Sequence, residues 1–158
     1  MKHRKKSAGG LPAKGRIRDM ADQLWSLAVR SDWANKCAVC GDRKCEAHHL
    51  IPRQHEATRY TLRNGIALCA THHQFDAFLS PHLNAAGFIS WLETHHPELA
   101  EWVFEHCRPR FIGTKTVPYY MDVIRSLRPF VEEEDFDRVV GMKLSRRFDS
   151  DARVQTSD

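Results

Sequence analysis

The chain is 158 residues long, 42% apolar and 28% charged, with a formal net charge of +4. That is enough apolar material for one compact domain, or for a small core plus an extension. No run is apolar for long enough to suggest a signal peptide or a membrane span. Five cysteines, an odd number, suit metal binding in a reducing compartment better than a disulfide framework. The expectation is a cytoplasmic, metal-binding protein with no membrane partner.

Residues 1 to 18 contain Lys2, Arg4, Lys5, Lys6, Lys14, Arg16 and Arg18 and no acid. Such a run suits a phosphate backbone, where each neutralised charge releases counterions; the plainer reading is a solvated tail. Residues 1–16 are expected to be a basic, disordered tail, kept irregular by Gly9, Gly10, Pro12 and Gly15. From Ile17 to about Ser31, apolar residues recur at helical spacing through Met20, Ala21, Leu24, Leu27 and Ala28. Trp25 and Trp33 are expected to join that core. Residues 46–51 and 66–68 read as two short strands joined by a polar loop, with Pro52 ending the first. Asn64-Gly65 is a turn signal before the second. A helix is expected from near Ala70 past His73, Phe75 and Phe78, stopping before Pro81.

The second half reads as helical. Phe88, Ile89, Trp91 and Leu92 make one amphipathic stretch, ended at His95-His96-Pro97. Pro97 suits the first position of a helix carrying Leu99, Trp102, Val103 and Cys107, the last expected as a small core residue. Thr116 is placed to cap a helix through Tyr120, Val123, Ile124 and Leu127, closed by Pro129. The acidic run 132–137 favours the start of a last helix with Phe136, Val139, Val140 and Lys143. Residues 149–158 are polar and expected to fray. There is no internal repeat.

Two sets of chemically capable residues are interleaved in residues 37–76. Cys37-x-x-Cys40 and Cys69-x-x-His72 have the spacing that lets both ligands of a knuckle reach one ion, and thiolates with an imidazole suit a tetrahedral structural zinc. Cys45 is a possible substitute ligand. The second set is His48-His49, Asn64 and His73. On a strand, His48 and His49 point to opposite faces, so one can bind a metal while the other takes a proton from water. An ion held by His48 and His73 could stabilise a scissile phosphate. Arg53, Arg59 and Arg63 in the loop between the strands, with Lys5 and Lys6 of the tail, are the expected contacts to a phosphate backbone, although an exposed loop arginine is ordinary. His55, His82, His95, His96 and His106 read as surface or packing histidines.

These residues resemble the HNH endonucleases, the ββα-metal or His-Me finger nucleases. The resemblance rests on His48-His49-Leu50-Ile51-Pro52, Asn64-Gly65-Ile66-Ala67-Leu68 and Cys69-Ala70-Thr71-His72-His73. It implies His49 as general base, His48 and His73 as ligands of the catalytic ion, and Asn64 as the residue fixing the histidine loop. It also implies structural zinc on Cys37, Cys40, Cys69 and His72. His72 stands where most relatives have Cys. Ala77 stands where some members carry a further His, so Asp76 or a water would complete the site. His72 and His73 exchange roles if the helix starts in another phase.

The fold expected from this is α+β: a zinc-stapled ββα-metal nuclease core at 17–80 with an N-terminal helix, and a helical C-terminal extension at 81–148. The activity expected is metal-dependent hydrolysis of DNA phosphodiester bonds giving 5′-phosphate and 3′-hydroxyl ends, with magnesium as the usual ion and manganese or nickel tolerated. Small proteins of this type resemble those of phages and mobile elements, which implies a bacterial or phage-infected cell. Two other readings stand beside it: a non-catalytic, zinc-dependent nucleic-acid-binding module, and a protein-interaction role on the helices of 85–145.

Overall fold

The computed structural model describes residues 11–108, 113–142, 144–146 and 148. Lys5, Lys6, Lys143, residues 1–10 of the expected basic tail and the expected frayed end at 149–158 lie outside the described residues. The elements in chain order are α1 (Lys14–Asp32), β1 (Cys45–His49), β2 (Gly65–Cys69), α2 (Ala85–His95), α3 (Pro97–His106), α4 (Val117–Leu127) and α5 (Glu133–Val140). The fold is α+β, with helices arranged about one two-stranded antiparallel sheet. Among the described residues, no helix is long and apolar enough to cross a membrane.

Helix α1 is the spine of the larger core. Its 3.6-residue period puts Ile17, Ala21, Leu24 and Ala28 on a buried face. That face packs against Tyr120, Ile124 and Leu127 of α4 and Phe136 and Val140 of α5. Thr116 caps α4 as expected, accepting from Tyr119 N at 3.3 Å. Acidic residues fill the first turn of α5.

The sheet lies between α1 and α2. Every residue of β2 is buried. Ile66 and Leu68 face a second core with Phe88 and Leu92 of α2 and Ala100 of α3, while the strand period turns Gly65 and Ala67 the other way. At Gly65 the reason for glycine differs from the expected turn. Its backbone is extended, and the turn proper is a 3-10 turn over Leu62–Asn64. A Cβ at Gly65 would collide with the side chains of Val29 and Trp25. Glycine is needed there so that α1 can lie directly on the strand.

Strand β1 ends at His49, opposite Gly65, short of the expected 51. Leu50 N still donates to Asn64 O at 2.9 Å, but at Ile51 the partner becomes the Asn64 side chain. The strand therefore ends where its partner turns away, before Pro52 can act. The expected helix from Ala70 towards Pro81 is also shorter, a single π-helical turn over Thr71–Phe75. Asp76 Oδ1 accepts from Phe78 N and Leu79 N, both at 2.8 Å. Ser80 Oγ donates to His73 O at 2.9 Å. These local side-chain bonds compete with the helical ladder and stop it. Cys107, expected in the core, is exposed at the end of α3, where its thiol donates to Phe104 O at 3.2 Å.

Candidate metal centre and active-site cleft

Cys37, Cys40, Cys69 and His72 meet at one point, their ligand atoms all within 4.8 Å of one another. Cys40 Sγ and Cys69 Sγ are 3.8 Å apart, and His72 Nδ1 is 3.2 Å from Cys69 Sγ and 3.7 Å from Cys37 Sγ. Zinc–sulfur bonds of ~2.3 Å in a tetrahedron give sulfur–sulfur edges of ~3.8 Å. The donor set and its spacing fit a structural zinc. Burial raises the Cys37 thiol, but bonds from the backbone of Cys69, Cys40 and Val39 outweigh it and bring it down to about 7. Cys40 receives a lowering backbone bond at Asp42, yet burial and the neighbouring Cys37 and Cys69 sulfurs push it up to about 11. Neighbouring sulfurs resist joint ionisation without a cation between them. Asp76 Oδ2 lies 4.0 Å from His72 Nε2, behind the ring. Cys45 is outside this group.

The second cluster has three members, His48, His73 and His82. His48 Nδ1 and His82 Nε2 lie 3.0 and 3.1 Å from His73 Nε2. His73 Nδ1 is 3.2 Å from Glu46 Oε2; a carboxylate accepts, so the Nε2 lone pair is left facing the other two rings. Ligand bonds of ~2.1 Å at a right angle separate two nitrogens by ~3.0 Å. Three imidazoles at this spacing fit a divalent ion. Burial, then the charges of His73, His82 and His49, push His48 down to about 3.

His49 leaves the opposite face of β1 and stacks on Trp25 of α1, ring centroids 3.6 Å apart and 11° from parallel. Its Nε2–H donates to Arg59 O at 3.0 Å, because a carbonyl can only accept. Nδ1 is therefore the unprotonated nitrogen. Burial above all pushes this imidazole down to about 4, so it is neutral at pH 7. His48 and His49, although on opposite faces of the strand, both line one cleft of about 510 Å³, with Arg53, Gln54, His73 and His82 also on its wall.

Asn64 is fully buried. Its Oδ1 accepts from Ile51 N at 2.6 Å, and its Nδ2 donates to Ile51 O at 3.0 Å and Thr58 O at 3.1 Å. The amide replaces a strand partner and draws together both ends of the loop behind His49. Named among the catalytic set and implied by the resemblance to fix the histidine loop, Asn64 has its polar atoms directed into that loop. Asn64→Ala would leave three buried backbone groups without partners, so unfolding in urea should show a loss of about 3 kcal/mol or more. An unchanged midpoint would show that water replaces the amide.

Residues 37–80 match the family model described as HNH endonuclease. That match places this segment in the HNH endonuclease family. No curated protein and no solved structure matches the chain. Of the expected DNA contacts on the HNH segment, Arg53 lies on the cleft wall. Arg59 does not face outward: its Nη2 bonds both oxygens of Asp22, at 2.8 and 2.7 Å, and its Nε bonds Oδ1 at 3.0 Å. This ion pair fixes the carbonyl that His49 donates to. Arg63 donates to Glu98 O at 3.2 Å and lies over Trp102. His82, expected as a surface or packing histidine, is exposed and also sits against His73 in the cluster. Glu46, which holds His73, and Trp25, which holds His49, were the other members unseen in the sequence. Asp76, expected, with a water as the alternative, to complete the catalytic site, faces His72 of the group formed by Cys37, Cys40, Cys69 and His72.

Proposed function

We propose that the protein is a metal-dependent endonuclease that hydrolyses DNA phosphodiester bonds. The observation that carries this reading is the cleft itself. A neutral, anchored imidazole (His49) and a three-imidazole cluster (His48, His73, His82) converge on one space from opposite faces of a strand.

In this reading His49 Nδ1 takes a proton from the water that attacks phosphorus. The ring is held in plane by Trp25 and in tautomer by the Arg59 carbonyl. As the imidazole becomes charged, that carbonyl and the face of the indole stabilise it. An ion held by His48, His73 and His82 would supply positive charge against the developing charge on the phosphate and the leaving oxygen. Glu46 keeps His73 turned towards its partners. Arg53 on the wall offers a donor for a flanking phosphate. The products would be 5′-phosphate and 3′-hydroxyl ends, by the family likeness.

Three imidazoles, with no carboxylate among the described members of the cluster, suit nickel, zinc or iron better than magnesium. Among the ions expected, magnesium, manganese and nickel, this donor set favours nickel. Purified protein with intact structural zinc should convert supercoiled plasmid to nicked or linear product when a transition metal is added, and less readily with magnesium. His82→Ala should raise the metal concentration needed by about 10-fold or more, the loss typical of weakening a metal site. Absence of cleavage with every divalent ion, by folded protein on both duplex and branched DNA, would refute the reading.

A further inference from the structure

The turn joining His73 to His82 carries apolar groups that neither the core nor the cluster uses. Among the described residues, Phe78 and Phe75 are the most exposed large apolar side chains, at 77% and 70%, and Leu83 follows at 63%. Scattered single exposures are ordinary, but two on one short turn, with a third directly after it, beside a candidate active site are not.

The backbone beneath the rings is pinned. Asp76 Oδ1 accepts from Phe78 N and Leu79 N at 2.8 Å. The buried Ser80 hydroxyl donates to His73 O at 2.9 Å and accepts from His82 N at 3.2 Å. The first turn of α2 has Gly87 where a Cβ would collide with the Phe78 carbonyl. The turn is also closed at its base, His73 Nε2 and His82 Nε2 lying 3.1 Å apart. Two peptide units separate His73 from Phe75, so their Cα atoms are within ~7.6 Å. Phe75 and Phe78 thus sit on a pinned turn that joins two residues of the cleft wall, His73 and His82.

An exposed phenyl ring beside a nucleic-acid site is suited to bases, since every base offers a π face. In an uninterrupted duplex the bases stack on one another; a face becomes available only where pairing or stacking is broken. Little negative charge opposes such an approach: Glu46, at the base of the turn, is engaged by His73 Nδ1 at 3.2 Å. Asp76 is the one acid in residues 70–89, and one of its oxygens is held by the backbone of the turn.

We propose that Phe75 and Phe78 form a stacking platform for an unpaired nucleobase beside the scissile phosphate, which makes DNA with a branch, flap or single-stranded end the preferred substrate. The proposal rests on reading the adjacent cleft as a phosphodiesterase site. Its test separates the two.

Binding is measured without added divalent ion, on a blunt duplex and on the same duplex carrying a single-stranded flap with 2-aminopurine next to the junction. The parent should bind the flap about tenfold more tightly and quench the 2-aminopurine, as stacking does. Phe75→Ala/Phe78→Ala should lose about tenfold in flap affinity together with the quench. Phe78→Tyr should keep both, and Phe78→Leu, apolar but without a π face, should lose the quench. Equal binding of flap and duplex by the parent, or undiminished flap binding by the double alanine variant, overturns the platform. Self-association of the parent that the double variant abolishes, with oligonucleotide binding unchanged, assigns the rings to a second copy and overturns it as well. Quenching by a parent that cuts no DNA upholds the platform and refutes only the nuclease. Cleavage of flap and duplex at equal rates by parent and double variant refutes only the platform.

Discussion

Plasmid cleavage is expected to fall by about 10²–10⁴-fold in His49→Ala, with zinc content and helical signal unchanged. The size follows from what the ring is placed to do. Its Nε2 proton is fixed on Arg59 O, and Arg59 is in turn fixed by Asp22, so Nδ1 is held as an acceptor. Alanine removes the acceptor but not the three-histidine cluster, which leaves β1 by the other face through His48. Residual activity from that cluster keeps the loss short of total. The fold should survive, because the space vacated borders the open cleft as well as Trp25. A variant that cuts at the parent rate, from a preparation free of contaminating nuclease, would take His49 out of the mechanism. A variant that loses zinc or helicity would mean that the stack on Trp25 is structural, and the rate would then carry no information about a base.

The parts legible in the sequence are those whose cause is local. The apolar period from Ile17 to Ala28 gives α1 because each buried residue follows from its neighbours at three and four positions. The two knuckles announce a metal because the spacing within each is set by the ion. His82 was not legible for the opposite reason. It reaches His73 only because Asp76 and Ser80 stop the helix and fold residues 76–82 back on themselves. A continuous helix from Ala70 would have carried it away. Trp25 and Arg59 share this limit: both looked generic, one a core aromatic and one a loop cation, until α1 was laid against Gly65. The glycine was the available signal. Its lack of a side chain marks where the helix comes closest, and thus which helical residues can touch His49.

Removing a zinc ion held by Cys37, Cys40, Cys69 and His72 should cost more than any single substitution in the cleft. The expected result is partial unfolding: cleavage and cleft lost, with part of the helical signal retained. Two cores of different dependence explain why. The core of α1, α4 and α5 is built from side chains remote from the sulfurs. The second core includes Cys37 and Cys69 themselves, between the sheet and α2. Without a cation, three sulfurs and an imidazole would sit at 3.2–3.8 Å with nothing to offset their mutual repulsion when ionised. In small zinc motifs the ion contributes ~10–16 kcal/mol, most of it expressed as folding. Here the sheet is two short strands, too little to persist unaided. Loss of β2 would release Asn64 and Gly65, and with them the loop that orients His49. Prolonged treatment with a strong chelator, or Cys37→Ser/Cys40→Ser, should therefore release one zinc per chain, make amides of residues 45–69 exchange quickly, and leave those of α1 and α4 protected. Mild chelation that empties only the histidine cluster should stop cleavage while leaving exchange unchanged. Retained protection across 45–69 in zinc-free protein would show that packing alone holds the sheet and that the four ligands are dispensable to the fold.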